Sequence, residues 1–210
     1  MIYLKVKRLI DIILSFSALI ILSPIFLILI IAIKVDSKGP VLFKQKRVGI
    51  HKSHFNILKF RTMRIDTPKD CPTHLLENPD QWITKVGKFL RKTSLDELPQ
   101  IWNIFVGQMS IIGPRPALWN QYDLIEERDK YGANDIPVGL TGWAQINGRD
   151  TVTIEDKARF DGCYTENMGL TFDVKCFFGT IISVLKRNGV VEGGTGRIQS
   201  EKEKSANNSL

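Results

Sequence analysis

The chain has 210 residues, enough for one ordinary domain with a short appendage. Its 29 Lys and Arg against 22 Asp and Glu give a formal net charge of +7, which favours an anionic partner such as nucleic acid, an anionic lipid surface or a phosphorylated substrate. The three cysteines, Cys71, Cys163 and Cys176, are odd in number and form no CxxC pair. This argues against a disulfide framework or a thiolate zinc site and fits a reducing compartment.

An almost continuously apolar segment, Leu9–Ile33, covers about 25 residues, which is enough to span a bilayer. It is too long for the apolar region of a signal peptide, and no small-x-small cleavage site follows it. Pro24 removes one helical hydrogen bond and clashes with the carbonyl of Ile20, and the hydroxyl of Ser23 can satisfy part of the freed backbone. We therefore predict a helix that breaks at Ser23 and Pro24.

Both flanks of this segment are basic. Lysines and arginines precede it at 5, 7 and 8 and follow it at 34, 38, 44, 46 and 47. The positive-inside rule places both flanks in the cytoplasm, which a re-entrant helix-break-helix satisfies and a straight span does not. Each arm would be roughly 15 to 22 Å long, less than the hydrocarbon core of about 30 Å. A re-entrant hairpin and a kinked span both stay open, and Asp11 is expected at the interface beside Lys7 or Arg8.

The remaining patterns predict a small α/β domain that is mostly helical, with amphipathic interface helices and little sheet. One strand is expected over Phe55–Met63, and loops are expected over 66–80 and 137–149. The last helix either packs in the core or lies on the bilayer surface. The periodicity predicts five helices after the membrane segment: Trp82–Leu90, Asp96–Val106, Trp119–Tyr131, Ile154–Asn167 and Phe172–Arg187.

These elements divide the chain into three parts. Residues 1–38 form the membrane hairpin, residues 39–193 form the globular domain, and residues 194–210 form a polar tail that is predicted to be disordered.

Two adjacent carboxylates, Asp96 and Glu97, lie in the most informative segment, RKTSLDELPQ from Arg91 to Gln100. Ser94 and Glu97 match a capping box, whereas Pro99 favours Asp96 as the helix cap. In either register Asp96 faces the positive end of a helix dipole, which favours its ionised form. An ionised carboxylate at such a terminus suits nucleophilic attack on phosphorus.

Fixed positive charge accompanies these carboxylates. Cleavage of a pyrophosphate needs fixed positive charge, together with a divalent metal, to stabilise the negative charge that develops in the transition state. Taken singly, each cation is better explained by a solvated surface position, except Arg115, which the rigid turn Gly113–Pro116 holds in place. Five cations belong to strands, helix ends or constrained loops: Lys59, Arg61, Arg91, Arg115 and Arg149.

Four segments together resemble the bacterial sugar transferase family, the monotopic phosphoglycosyl transferases. Their order and spacing match the family from Lys7 to about residue 190. The segments are KFRTM at 59–63, SLDELPQ at 94–100, MSIIGPRP at 109–116 and GLTGWAQINGR at 139–149.

The resemblance implies a re-entrant membrane helix broken at Ser23 and Pro24. It implies that Asp96 attacks the β-phosphate of a UDP-sugar and releases UMP, and that polyprenyl phosphate then displaces the covalent phosphosugar. It also implies Mg²⁺ beside Asp96, with Glu97 as its acidic partner. The family's phosphate-binding cations and one acidic position correspond to Lys59, Arg91, Arg115, Arg149 and Asp173.

The same resemblance places the protein at the bacterial inner membrane, with its catalytic domain on the cytoplasmic face, in capsule, exopolysaccharide or glycan synthesis. The sequence leaves open whether the protein forms a homo-oligomer. The main alternative is a non-catalytic membrane adaptor with a basic lipid- or partner-binding face, which leaves Asp96 and the Gly113–Pro116 turn unexplained. A nucleic-acid binder is not expected, because its basic face would be interleaved with aromatic residues.

Overall fold

The computed structural model describes residues 2–67, 81–148 and 152–186. Two N-terminal helices lead into a mostly helical domain with two small sheets, as the sequence predicted. Short 3₁₀ turns lie at Ile50–Lys52 and Leu95–Glu97. The described elements are α1 (Ile2–Ile21), α2 (Ser23–Asp36), β1 (Leu42–Val48), β2 (His54–Phe60), α3 (Lys85–Thr93), α4 (Gln100–Phe105), β3 (Ser110–Ile112), α5 (Tyr122–Asp129), β4 (Gly139–Thr141), α6 (Trp143–Ile146), α7 (Ile154–Asn167) and α8 (Leu170–Lys186).

The helix break falls where the sequence predicted it. The axes of α1 and α2 are bent by 60° at Leu22, and Pro24 lies in the first turn of α2. The Ser23 hydroxyl donates a 2.8 Å hydrogen bond to the carbonyl of Ile20, so it satisfies the acceptor that Pro24 leaves free. In the described part of the chain no single helix is long and apolar enough to cross a membrane, whereas the bent pair passes that test together.

The first arm, α1, is fixed to the domain by polar contacts near its N-terminus. Arg8 donates to the carbonyls of Ile104 and Phe105 at 2.6 and 2.7 Å. Asp11 is buried and accepts a 3.0 Å hydrogen bond from the Ile111 N–H. The Asp11 carboxylate thus serves the backbone of β3, and its position at the bilayer interface beside Lys7 or Arg8 stays a prediction.

The second arm, α2, belongs to the core of the domain. Leu29 and Ile33 are buried with Phe60 of β2 and Leu90 of α3. At the end of α2, the Asp36 carboxylate accepts a 2.9 Å hydrogen bond from the Val86 N–H. Both ends of the apolar segment are therefore attached to one domain, while its middle is exposed.

Two small sheets carry the loops of the domain. Strands β1 and β2 are antiparallel, with Leu42 opposite Phe60 and Val48 opposite His54. Strands β3 and β4 are parallel. Asn103 joins α4 to β2, because its amide oxygen accepts from the Leu58 N–H at 2.9 Å and its amide nitrogen donates to the Asn56 carbonyl at 2.9 Å.

Several element boundaries differ from the predictions. The helix expected over Asp96–Val106 begins only at Gln100, and the one expected from Trp119 begins at Tyr122. The region expected to be a loop over 137–149 contains β4 and α6. Strands β1 and β3 were not predicted: residues 42–47 of β1 show no strict burial alternation, and β3 is only three residues long. Most of the 66–80 loop and all of the 194–210 tail lie outside the described residues.

We predict that the buried ion pair Arg128–Asp161 stabilises the domain strongly. The Arg128 Nε and Nη2 atoms donate to one Asp161 oxygen at 2.8 and 2.6 Å, and both side chains are almost fully buried. Arg128→Met leaves an uncompensated buried carboxylate, so the free energy of unfolding should fall by about 3–5 kcal/mol. Urea unfolding in detergent, followed by tryptophan fluorescence, measures this change.

The matched control is Lys52→Met, which removes an exposed partner of Asp129 in a 2.6 Å pair. Such surface pairs contribute about 0–1 kcal/mol. Equal destabilisation by the two variants would contradict the role assigned to Arg128.

Candidate active site

A cavity of about 450 Å³ lies between the Leu95–Glu97 turn, the Gly113–Pro116 turn, α6, α7 and α8. It is lined by both charged and apolar side chains. The charged residues are Arg91, Asp96, Glu97, Arg115 and Lys157, and the apolar residues are Leu98, Ile101, Ile111, Leu140, Ala144, Phe177 and Ile181. An anionic group with an apolar neighbour fits such a cavity.

A sharp reversal of the chain presents Asp96 to this cavity. Helix α3 ends at Thr93, its C-cap Ser94 has the left-handed backbone conformation (φ 57°), and the next three residues form a separate 3₁₀ turn. Helix α4 begins only at Gln100 and has six residues. Ser94, not Asp96, is therefore the residue that caps the 3₁₀ turn, and Asp96 lies within that turn. The predicted stabilisation of the Asp96 charge by a helix dipole stays a prediction.

Glu97 is held between two cations. Its Oε1 accepts a 2.8 Å hydrogen bond from Lys59 and a second one from the Arg115 Nη2, while its Oε2 lies 3.2 Å from the Arg115 Nη1. Burial alone would raise the pKa of Glu97, but the charges and hydrogen bonds of Arg115 and Lys59 outweigh it and hold that pKa well below its ordinary range. Glu97 is thus ionised and keeps both cations in place.

Arg115 is positioned through its backbone as well. Its carbonyl accepts a 2.9 Å hydrogen bond from Arg128, and the next carbonyl, of Pro116, accepts one of 3.0 Å from Arg47. The Gly113 N–H donates to Thr141 at 2.8 Å, and a Cβ on Gly113 would collide with the backbone of 137–139. The rigid turn predicted from the sequence is confirmed.

Asp96 differs electrostatically from its neighbour. Burial raises the pKa of the Asp96 carboxyl, Lys59 opposes the rise, the charge of Glu97 adds to it, and Arg91 and Arg115 also oppose it. The outcome is a pKa above the ordinary aspartate value. A half-buried carboxylate with this pKa is a stronger base, and a better nucleophile, than a solvated one.

The other predicted site residues are divided between the cavity and its surroundings. Arg91 lines the cavity and donates from Nε to the Thr62 hydroxyl at 2.9 Å. Arg61 donates instead to the carbonyls of Ser37, at 2.8 Å, and Lys38, so it fastens the end of α2. Arg149 lies outside the described residues.

Asp173 is buried in a network that joins α1 to α8. Its Oδ2 accepts from Lys7 at 2.5 Å and from Tyr3 at 2.6 Å, and its Oδ1 accepts from Tyr164 at 2.6 Å. The described residues that line the cavity do not include Asp173. Its predicted part in substrate binding stays a prediction, and the contacts observed here are structural.

Sequence reasoning did not select Lys157 or the α8 side chains Phe177 and Ile181, which also line the cavity. Lys157 lies inside a charged, amphipathic helix, where nothing separates it from a solvated lysine. The α8 side chains were recognised only as part of an apolar face. Their position beside Asp96 depends on tertiary packing that a single sequence does not reveal.

Within the described residues, no group of three or more His, Cys, Asp or Glu side chains could enclose a metal ion. Mg²⁺ is commonly bound by one or two carboxylates together with substrate phosphates. The adjacent carboxylates of Asp96 and Glu97 fit that mode, although Glu97 is engaged by Lys59 and Arg115.

Comparison with known proteins gives a consistent result. A family model described as bacterial sugar transferase matches residues 2–187. The chain is 36% identical over 197 residues to the uncharacterized sugar transferase EpsL of Bacillus subtilis, a match that covers 93% of this chain and 94% of that protein.

Longer relatives match over part of their length. The UDP-glucose:undecaprenyl-phosphate glucose-1-phosphate transferase of Escherichia coli K12 is 40% identical over 183 residues, covering 83% of this chain and 39% of that protein. An uncharacterized sugar transferase of Haemophilus influenzae is 37% identical over 197 residues, a match that covers 87% of this chain and 41% of that protein. The chain thus spans about two fifths of the length of these two relatives.

We predict that Glu97→Gln lowers the pKa of Asp96. The substitution removes a negative charge that raises this pKa and releases Lys59 and Arg115, whose positive charges lower it. NMR titration of protein labelled with ¹³C at the aspartate carboxyls measures the shift. A reaction that needs ionised Asp96 would then persist to lower pH in the variant than in the wild type.

The control is Asp135→Asn, which removes an exposed carboxylate that pairs with His51 at 3.0 Å. It should leave the Asp96 titration unchanged. An unchanged or raised Asp96 pKa in Glu97→Gln would contradict the electrostatic account of the site.

Proposed function

Because the chain belongs to the bacterial sugar transferase family, we propose that it transfers a phosphosugar from a UDP-sugar to polyprenyl phosphate, yielding polyprenyl diphosphate sugar and UMP. The observation that carries this proposal is the half-buried Asp96, with its raised pKa, in a cavity that also contains Arg91, Arg115 and Lys157. The printed name of the E. coli relative describes such a transfer for that protein.

The proposed reaction proceeds in two displacements. An Asp96 oxygen attacks the β-phosphorus of the UDP-sugar, and the bond from that phosphorus to the bridging oxygen breaks, so UMP leaves with the electron pair. A phosphate oxygen of polyprenyl phosphate then attacks the same phosphorus and releases the Asp96 carboxylate. Phosphorus is thus transferred twice, and Asp96 is regenerated.

The cations supply the electrostatic part of this mechanism. Arg91 and Arg115 are held by Thr62 and Glu97, so their charge is oriented before the substrate binds. Such preorganisation stabilises charge on the transferring phosphoryl group without further rearrangement. Mg²⁺ held by Asp96 or Glu97 together with the diphosphate would neutralise part of the substrate charge.

We also propose that α1 and α2 form a re-entrant membrane hairpin. The attachments of both ends to one domain support this topology, because a span would separate the ends by about 30 Å of hydrocarbon. Helices of 20 and 14 residues, bent by 60°, reach about 12 Å deep when both ends lie at one surface. By the positive-inside rule that surface is the cytoplasmic face of the inner membrane.

The first prediction for this function concerns Asp96. Asp96→Asn keeps the shape of the side chain but removes the anionic nucleophile, so UMP release from a UDP-sugar should be abolished. Mass spectrometry of the wild-type protein, incubated with Mg²⁺ and UDP-glucose, UDP-galactose or a UDP-N-acetylhexosamine but no acceptor, should show a phosphosugar adduct on the Asp96 peptide. Asp135→Asn, a matched change of an exposed carboxylate, should behave as the wild type.

Two results would contradict parts of this mechanism. Wild-type turnover by Asp96→Asn would mean that Asp96 is not the nucleophile. UMP release that requires both substrates, with no adduct, would indicate direct attack by the lipid phosphate in a ternary complex.

The second prediction concerns the topology of the hairpin. In a cysteine-free background, Lys5→Cys, Lys38→Cys and the domain marker Ser53→Cys are all exposed positions. A membrane-impermeant maleimide should label none of the three in intact cells and all three after the cells are opened. Labelling of Lys5→Cys alone in intact cells would establish a span and disprove the hairpin.

A further inference from the structure

Helix α8 presents two pairs of similar apolar side chains in different directions. Phe177 and Ile181 line the cavity that contains Asp96, whereas Phe178 and Ile182 line a second groove, beside Trp143. The pairs are comparably exposed, at 46% and 43% for the first and 59% and 51% for the second. The two pairs therefore differ in what they face rather than in composition.

The apolar wall of the cavity, which consists of Phe177 and Ile181, lines the same space as the charged residues around Asp96. Large apolar side chains exposed at the wall of a reaction cavity favour a ligand that removes them from water. The diphosphate and the sugar of a UDP-sugar are polar and offer these apolar side chains little to bind. A prenyl phosphate carries a phosphate at the end of a hydrocarbon chain, which matches a cavity lined both by the cations Arg91, Arg115 and Lys157 and by the apolar side chains Phe177 and Ile181.

We infer that Phe177 and Ile181 form the subsite for the first isoprene units of the acceptor and direct its phosphate towards Asp96. This inference rests on the proposed function and deepens it, because it assigns the acceptor to one wall of the cavity.

The wall is held in a fixed position relative to the membrane hairpin. Asp173, one helical turn before Phe177, accepts hydrogen bonds from Lys7 and Tyr3 of α1 and from Tyr164 of α7. Beyond Phe177, the hydroxyls of Thr180 and Thr141 are 2.7 Å apart. Asp173 therefore ties the start of α8, and with it Phe177, to α1 and α7.

The test compares two double variants. Phe177→Ala/Ile181→Ala and Phe178→Ala/Ile182→Ala remove identical side chains from one helix, so any general loss of membrane affinity is shared.

The KM values for undecaprenyl phosphate and for the donor are measured in detergent, with the UDP-sugar that releases UMP with the wild-type protein. The cavity-facing variant should raise the acceptor KM by about tenfold or more. Its donor KM, and UMP release without acceptor, should stay at the wild-type level, and the other variant should change neither KM.

Equal rises of the acceptor KM in both variants, or a rise of the donor KM alone, would overturn the subsite and leave the proposed function intact. Absence of lipid product with the wild-type protein would instead refute the proposed function, and the subsite with it. If the cavity-facing variant does not fold, wild-type protein is photo-crosslinked to a polyprenyl phosphate that carries a diazirine on its first isoprene unit. Labelling of Phe177 or Ile181 supports the subsite, and labelling confined to other residues overturns it.

Discussion

The structure depends on the attachment of one apolar helix pair to one domain by buried polar groups at both ends. Lys7 and Asp173 form a 2.5 Å ion pair that two tyrosine hydroxyls complete, and Arg61 fastens the end of α2. Buried charges are expensive unless they are paired and hydrogen-bonded, so such contacts hold only in one register. These contacts fix how α1 lies against α8 and β3. Because both elements line the cavity, its shape depends on the same contacts.

The charged residues of the cavity show a second constraint: two adjacent carboxylates, Asp96 and Glu97, have pKa values that are shifted in opposite directions. Glu97 receives the hydrogen bonds of Lys59 and Arg115, so its charge is compensated. Asp96 is half-buried beside it with less compensation of its charge, and its pKa is raised. Neighbouring groups with pKa values displaced in opposite directions are typical of catalytic sites, because one of them organises charge while the other reacts.

Sequence reasoning identified the family better than the local structure. The break at Pro24 and the rigid turn around Arg115 were predicted correctly, because proline restricts the backbone wherever it occurs. The prediction of an α-helix that begins at Asp96 was wrong, because Ser94 has a left-handed conformation and a 3₁₀ turn follows it. No local sequence pattern indicates that turn. A strand as short as β3 pairs with a partner distant in sequence, and periodicity does not detect such a strand.

The same limit applies to the site residues. Arg61 and Asp173 belong to segments that match the family, yet the structure shows them tying helices together. Lys157 lies on the cavity because α7 packs across it, and its neighbours in sequence give no indication of this. Residues that act through backbone geometry or neighbouring charge were predictable, whereas residues placed by long-range packing were not.

The burial of Leu29 and Ile33 against Phe60 and Leu90 has a consequence for biogenesis. Helix α2 leaves the ribosome before β2 and α3, yet it supplies part of the core on which those elements pack. Its apolar side chains must therefore stay shielded from water until those partners are translated. The order in which the chain is synthesised thus leaves the core incomplete until elements far apart in sequence have come together.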